Sequence, residues 1–117
     1  MSFFIYEPDL IVQEDISETL SELFSDCSIR LFDSVDELFE TLAAYTEPAV
    51  AIVARPTVCL FARLMDPTKL AQNVRFVVIG GGSKVSQPLP GWMQMVPLPF
   101  DTTMLISAIR TAISDLR

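Results

Sequence analysis

Glu7 and Asp9 bracket Pro8 directly after the apolar run Phe3-Phe4-Ile5-Tyr6. Two carboxylates at the end of a buried segment are the chain's first candidate for holding a hard cation such as Mg²⁺. A simpler reading makes Asp9 the cap of a following helix, where its carboxylate accepts from free first-turn amides, and leaves Glu7 a solvated acid. The second candidate is Gly80-Gly81-Gly82-Ser83-Lys84, a glycine-rich run after an apolar segment, which suggests a phosphate cradle. It lacks the glycine and Gly-Lys-Ser/Thr spacing of a P-loop and the third glycine of a dinucleotide fingerprint. Pro88 and Pro90 also oppose a long helix beyond it. Cys27 and Cys59 are far apart in apolar contexts, which predicts buried reduced thiols and no zinc spacing. The chain has no histidine, so the usual imidazole acid–base is missing.

These residues sit in a chain of 117, enough for one domain spanning 1–117. Half of the residues are hydrophobic, sufficient for a single core. Fifteen acids against eight scattered bases give a net charge of −7, a field that repels phosphate backbones and anionic lipid. Nucleic-acid binding and membrane insertion are not expected. Met1 to Glu7 lacks the basic start of a secretory signal, and a cytoplasmic location is expected.

The elements that must position the candidates follow from periodicity. Phe3–Tyr6 reads as a buried strand. Val12, Ile16, Leu20, Leu23 and Phe24 recur at helical spacing, with Gln13, Glu14, Ser17, Glu18, Ser21 and Glu22 on the wet side. Ser28–Phe32 suits a second strand. Ser34-Val35-Asp36-Glu37 is a capping-box sequence opening a helix whose stripe is Val35, Leu38, Phe39 and Leu42. Ala49–Ala54 is continuous and apolar, as in a central parallel strand covered on both faces. Arg55-Pro56 ends it. A helix is expected over Thr57 to Met65, with a second turn from Asp66-Pro67 through Ala71. Arg75–Ile79 and Met93–Val96 complete the strands, and Asp101 caps a last helix with Leu105, Ile109, Ala112, Ile113 and Leu116 inside. Repeated strand–helix units predict a three-layer, flavodoxin-like α/β fold with a five-stranded parallel sheet in the order 2-1-3-4-5.

Met95-Val96-Pro97-Leu98-Pro99-Phe100-Asp101 is a strand entering a Pro-Phe-Asp turn that opens a helix. With the five strand ends in register, it makes nearly the whole chain resemble the receiver domains of bacterial two-component response regulators. The resemblance implies a site at the carboxyl ends of the strands. In such receivers two acids after the first strand hold Mg²⁺, and an aspartate ending the third strand takes the phosphoryl group. A Ser or Thr after the fourth strand and a lysine after the fifth grip its oxygens. On this chain those positions fall at Glu7 and Pro8, Ala54, Gly80 and Leu98. Only the first keeps a suitable side chain. The resemblance therefore implies a degenerate site without nucleophile, catalytic residue, metal or cofactor.

Between Gly80 and Gly91 the chain is short and holds two prolines, so the family's fourth helix is expected to be shortened or missing. Trp92, Met93 and Met95, with Met104 and Ala108 on the last helix, form a candidate interface, since Trp and Met serve as anchors at protein contacts. The opposing expectation folds Trp92 and the methionines inward to fill the space left by the shortened helix. The functional expectation is a phosphorylation-independent pseudo-receiver and not an enzyme. It would work as an interaction or regulatory module in bacterial signalling or protein localisation, meeting a protein partner or a second copy through the fifth strand and last helix. The alternative is a small nucleotide- or flavin-binding protein with its ligand at Gly80–Ser83 and a cleft beside Ala54.

Overall fold

A computed structural model describes residues 1–64, 73–80, 91–97 and 101–116, without the side chains of Val58 and Phe61. Its elements are β1 (Ser2–Tyr6), α1 (Leu10–Leu23), β2 (Ser28–Phe32), α2 (Val35–Ala44), β3 (Ala49–Ala54), α3 (Val58–Leu64), β4 (Val74–Ile79), β5 (Met93–Val96) and α4 (Thr102–Asp115). The five strands form one parallel sheet in the order β2-β1-β3-β4-β5. That is the flavodoxin-like order expected from the sequence. The second turn expected at Asp66–Ala71 and the question of a fourth helix before Gly91 fall outside the described residues.

Strand alternation sorts the core into two layers. Val50, Ile52 and Ala54 of β3 point with Phe3 and Ile5 toward Ile16 and Leu20 of α1 and Leu105, Ile109 and Ala112 of α4. Ala49, Ala51 and Val53 face the other way, with Phe4 and Phe76, against Leu38 and Leu42 of α2 and Leu60 and Leu64 of α3. All six residues of β3 are buried, which explains a continuous apolar run where a one-sided strand would alternate.

Helix starts obey the local chemistry. Asp9 accepts from the amides of Ile11 (3.0 Å) and Val12 (3.4 Å). Asp101 accepts from that of Met104 at 2.8 Å. Ser34 accepts from the Glu37 amide at 3.4 Å while the Glu37 side chain is exposed, so the described bonds include only the serine half of the capping box. The expectation of two buried thiols is corrected. Cys59 is exposed on the outer side of α3, and Cys27 is half-buried with its thiol directed at the Leu20 carbonyl, 3.7 Å away.

Candidate functional site

The carboxyl edge of the sheet gathers the residues that leave β1, β3 and β4. The β1–β3 register pairs Tyr6 with Val53, which brings Glu7 level with Ala54, one residue before Arg55. Two backbone bonds carry the sheet slightly past its strand ends. The Arg55 amide donates to the Ile79 carbonyl at 2.6 Å, and the Gly80 amide to the Val96 carbonyl at 2.8 Å.

Glu7 is buried, with 2% of its side chain exposed. It is the sole buried polar or charged residue among those described. A carboxylate removed from water needs partners. Its Oε1 accepts from Arg55 Nη2 at 2.6 Å and from the Asp9 amide at 2.9 Å. The Glu7 carbonyl accepts from Gln13 Nε2 at 3.4 Å. The expectation of a solvated acid at Glu7 is thus corrected, while the expectation that Asp9 caps α1 matches the observed bonds.

Arg55 has φ 46°, a left-handed conformation that a non-glycine residue adopts only at a cost of about 1–2 kcal/mol. That turn swings its side chain back over the end of β1, and half of it stays exposed. Gly80 has φ 74°, a conformation natural to glycine and strained for a β-branched threonine.

Ala54 ends β3 at 1% exposure within the α1/α4 layer, so this position supplies a methyl group to the core and no nucleophile. Pro8 is exposed and has no ligand atom on its side chain. Leu98, at the lysine position of the pattern, and Gly81–Ser83 of the glycine run lie outside the described residues. The Mg²⁺ of the receiver pattern does not fit the donors present. Mg²⁺ requires near-octahedral oxygen ligation; of the two acids here, Glu7 already spends an oxygen on a guanidinium and an amide and Asp9 spends one on the first-turn amides of α1, and no cluster of three potential ligands occurs among the described residues.

The five candidate interface residues are dispersed. Met93 is buried at 2% in the α2/α3 layer, which corrects its assignment to a surface. Trp92 packs partly against the same layer, and its indole N–H donates to the Leu64 carbonyl at 3.0 Å, tying the entry of β5 to the end of α3. Met95 is half-buried there. Met104 and Ala108 are half-buried against the opposite layer.

Sequence reasoning missed Arg55, read only as the stop after β3. The available signal was a cation placed immediately after a fully apolar strand, at the edge where acids would gather. It also missed Leu10 and Ile11, exposed at 73% and 76% in the first turn of α1. Their positions fall outside the Val12–Ile16–Leu20 stripe.

Comparison with known proteins supports the architecture. No protein-family model and no curated protein matches the sequence. The fold is similar to a crystal structure of a CheY-like response regulator receiver domain protein from Methanospirillum hungatei JF-1. The TM-score is 0.68 at 15% identity, covering 97% of this chain and 95% of that one. A response regulator receiver protein from Dyadobacter fermentans DSM 18053 is equally similar, with a TM-score of 0.68 at 16% identity over 97% of this chain and 98% of that one. The chain therefore has the receiver fold, a five-stranded flavodoxin-like sheet.

Proposed function

We propose that this chain is a phosphorylation-independent pseudo-receiver, a regulatory or interaction module in bacterial signalling or protein localisation. The observation that carries this reading is the Glu7–Arg55 pair. A receiver fold concentrates its phosphoryl chemistry at the carboxyl edge of the sheet, and here that edge carries a buried acid already engaged by a guanidinium beside a buried alanine methyl. An acyl phosphate forms only when a carboxylate attacks phosphorus while cationic groups neutralise the gathering charge. Ala54 offers no carboxylate, and Arg55 is committed to Glu7.

Without phosphotransfer, the domain acts by contact and needs no cofactor. β5 and α4 are the proposed contact region, with Met104 and Ala108 of α4 as the half-buried apolar residues that a protein partner or second copy would cover, and Met95 on the opposite face of the sheet. The net charge of −7 disfavours nucleic acid as a partner. No described helix is long and apolar enough to cross a membrane. A cytoplasmic setting accords with the family that the fold resembles.

The decisive experiment is exposure to a small phosphodonor with Mg²⁺, followed by intact-mass measurement. The mass is expected to stay unchanged. An added phosphoryl group, on Asp9 or any other acid, defeats the reading. For the contact role, Met104→Glu is expected to weaken self-association or partner capture with its circular dichroism intact. Sedimentation and pull-down indistinguishable from the parent would move the interface elsewhere.

A further inference from the structure

Burying a carboxylate requires a positive charge or several donors close by. In a phosphorylatable receiver a divalent ion supplies that charge. This chain supplies it from one of its own side chains. Arg55 Nη2 stands 2.6 Å from Glu7 Oε1, across the ends of two adjacent strands. The same oxygen accepts the Asp9 amide, and Asp9 in turn caps α1, so the guanidinium, the acid and the start of α1 form one connected unit. A metal needs several oxygens in fixed geometry, whereas a guanidinium can be satisfied by one well-placed oxygen while its remaining N–H groups face water. Arg55 occupies a left-handed conformation that glycine would adopt freely, so replacing it with glycine removes the guanidinium without adding backbone strain.

We infer that Arg55 is a built-in cation. Its guanidinium takes over at Glu7 the neutralising role of a divalent ion, so the carboxyl edge is held in one arrangement and is indifferent to such ions. The inference deepens the reading of a phosphoryl-inert site and rests on it. The phosphodonor experiment reads mass, whereas the one below reads thermal stability and ion response, so either can fail without the other.

The test uses Arg55→Gly, because glycine removes the guanidinium and the backbone strain together. Despite the relieved strain, its melting temperature is expected to fall by about 5 °C. Arg55→Gly with Glu7→Gln removes both charges and keeps an acceptor for the Asp9 amide; it is expected to regain most of that loss. The parent is expected to melt at the same temperature with and without about 10 mM Mg²⁺, since an ion that does not bind the folded state adds nothing to it. The inference is overturned if Arg55→Gly melts with the parent, or if the double variant stays as low as the single one. A Mg²⁺-dependent rise in the parent overturns it as well.

Discussion

Two arginine–carboxylate pairs in this domain show how far surroundings decide what a contact is worth. At the carboxyl edge, Arg55 meets a Glu7 that is 2% exposed. On the outer side of the α2/α3 layer, Arg63 Nη1 meets Asp36 Oδ1 at 3.1 Å, with Asp36 85% exposed and Arg63 42%. The chemistry is the same. In the first pair one charge has lost its water and depends on the other. In the second, both ions keep a hydration shell that competes with the pairing, and the net gain of such contacts is about 0–1 kcal/mol. The first pair is therefore part of the fold's construction, and the second decorates it.

The sharpest way to break this contrast is to reverse the buried charge. Glu7→Lys places an ammonium at a buried position beside the Arg55 guanidinium. It leaves the Asp9 amide facing a donor. The expected destabilisation is about 4 kcal/mol, comparable to breaking a buried pair, and is measured by urea unfolding. A loss under about 1 kcal/mol would show that the site opens to water readily and that the two pairs belong to one class.

The sequence made the sheet and the helices legible because their signals are redundant. β3 announces itself with six apolar residues, α1 and α4 with stripes at helical spacing, and three helices with Asp9, Ser34 and Asp101 at their starts. The candidate site was read from the sequence only through the resemblance, as Pro8, Ala54 and Gly80 standing at positions where the pattern has side chains that do chemistry. Its positive content depends on backbone dihedrals. Without φ 46° at Arg55, nothing in Ala-Arg-Pro says that the guanidinium turns back over β1. Burial of Glu7 was likewise hidden, since an acid preceding proline and aspartate looks solvated until a partner from 48 residues away is placed on it. The misplacement of Met93 has an equally simple cause. A four-residue strand gives too short a pattern to say which alternate side chains face the core, and its inner face holds Met93.

Between the two pairs in expected effect stands the cap that shares the Glu7 oxygen. Asp9→Ala removes the acceptor for the Ile11 and Val12 amides but keeps the Asp9 backbone amide that donates to Glu7. The expected cost is about 1 kcal/mol, the usual value of an N-cap. In a double-mutant cycle with Arg55→Gly the combined loss is expected to fall short of simple addition by about 0.5 kcal/mol, because cap and pair are joined through one short loop and each single change already weakens the other contact. Strict additivity would mean that the start of α1 is held independently of the buried acid.

The smallest effect is expected where the contrast would be least anticipated from a list of ion pairs. Asp36→Asn deletes the charge at the Arg63 contact while keeping a polar side chain of nearly the same shape. Arg63 does not depend on that carboxylate for its place, because its guanidinium carbon lies 4.1 Å from the centroid of the Phe39 ring, and Phe39 is itself packed against the α2/α3 layer. Stacking on an aromatic face at an exposed site contributes about 0.5–1 kcal/mol and survives the substitution. Asp36 also lies in the first turn of α2, where a negative charge has a modest favourable interaction with the helix dipole. The total expected loss is about 0.5 kcal/mol, falling further in high salt as exposed charges are screened. Phe39→Leu, which removes the ring and leaves the ion pair available, is expected to cost more than Asp36→Asn in the same urea titration. The reverse order would mean that Arg63 is positioned by Asp36, and that exposure alone does not separate this pair from the one at the carboxyl edge.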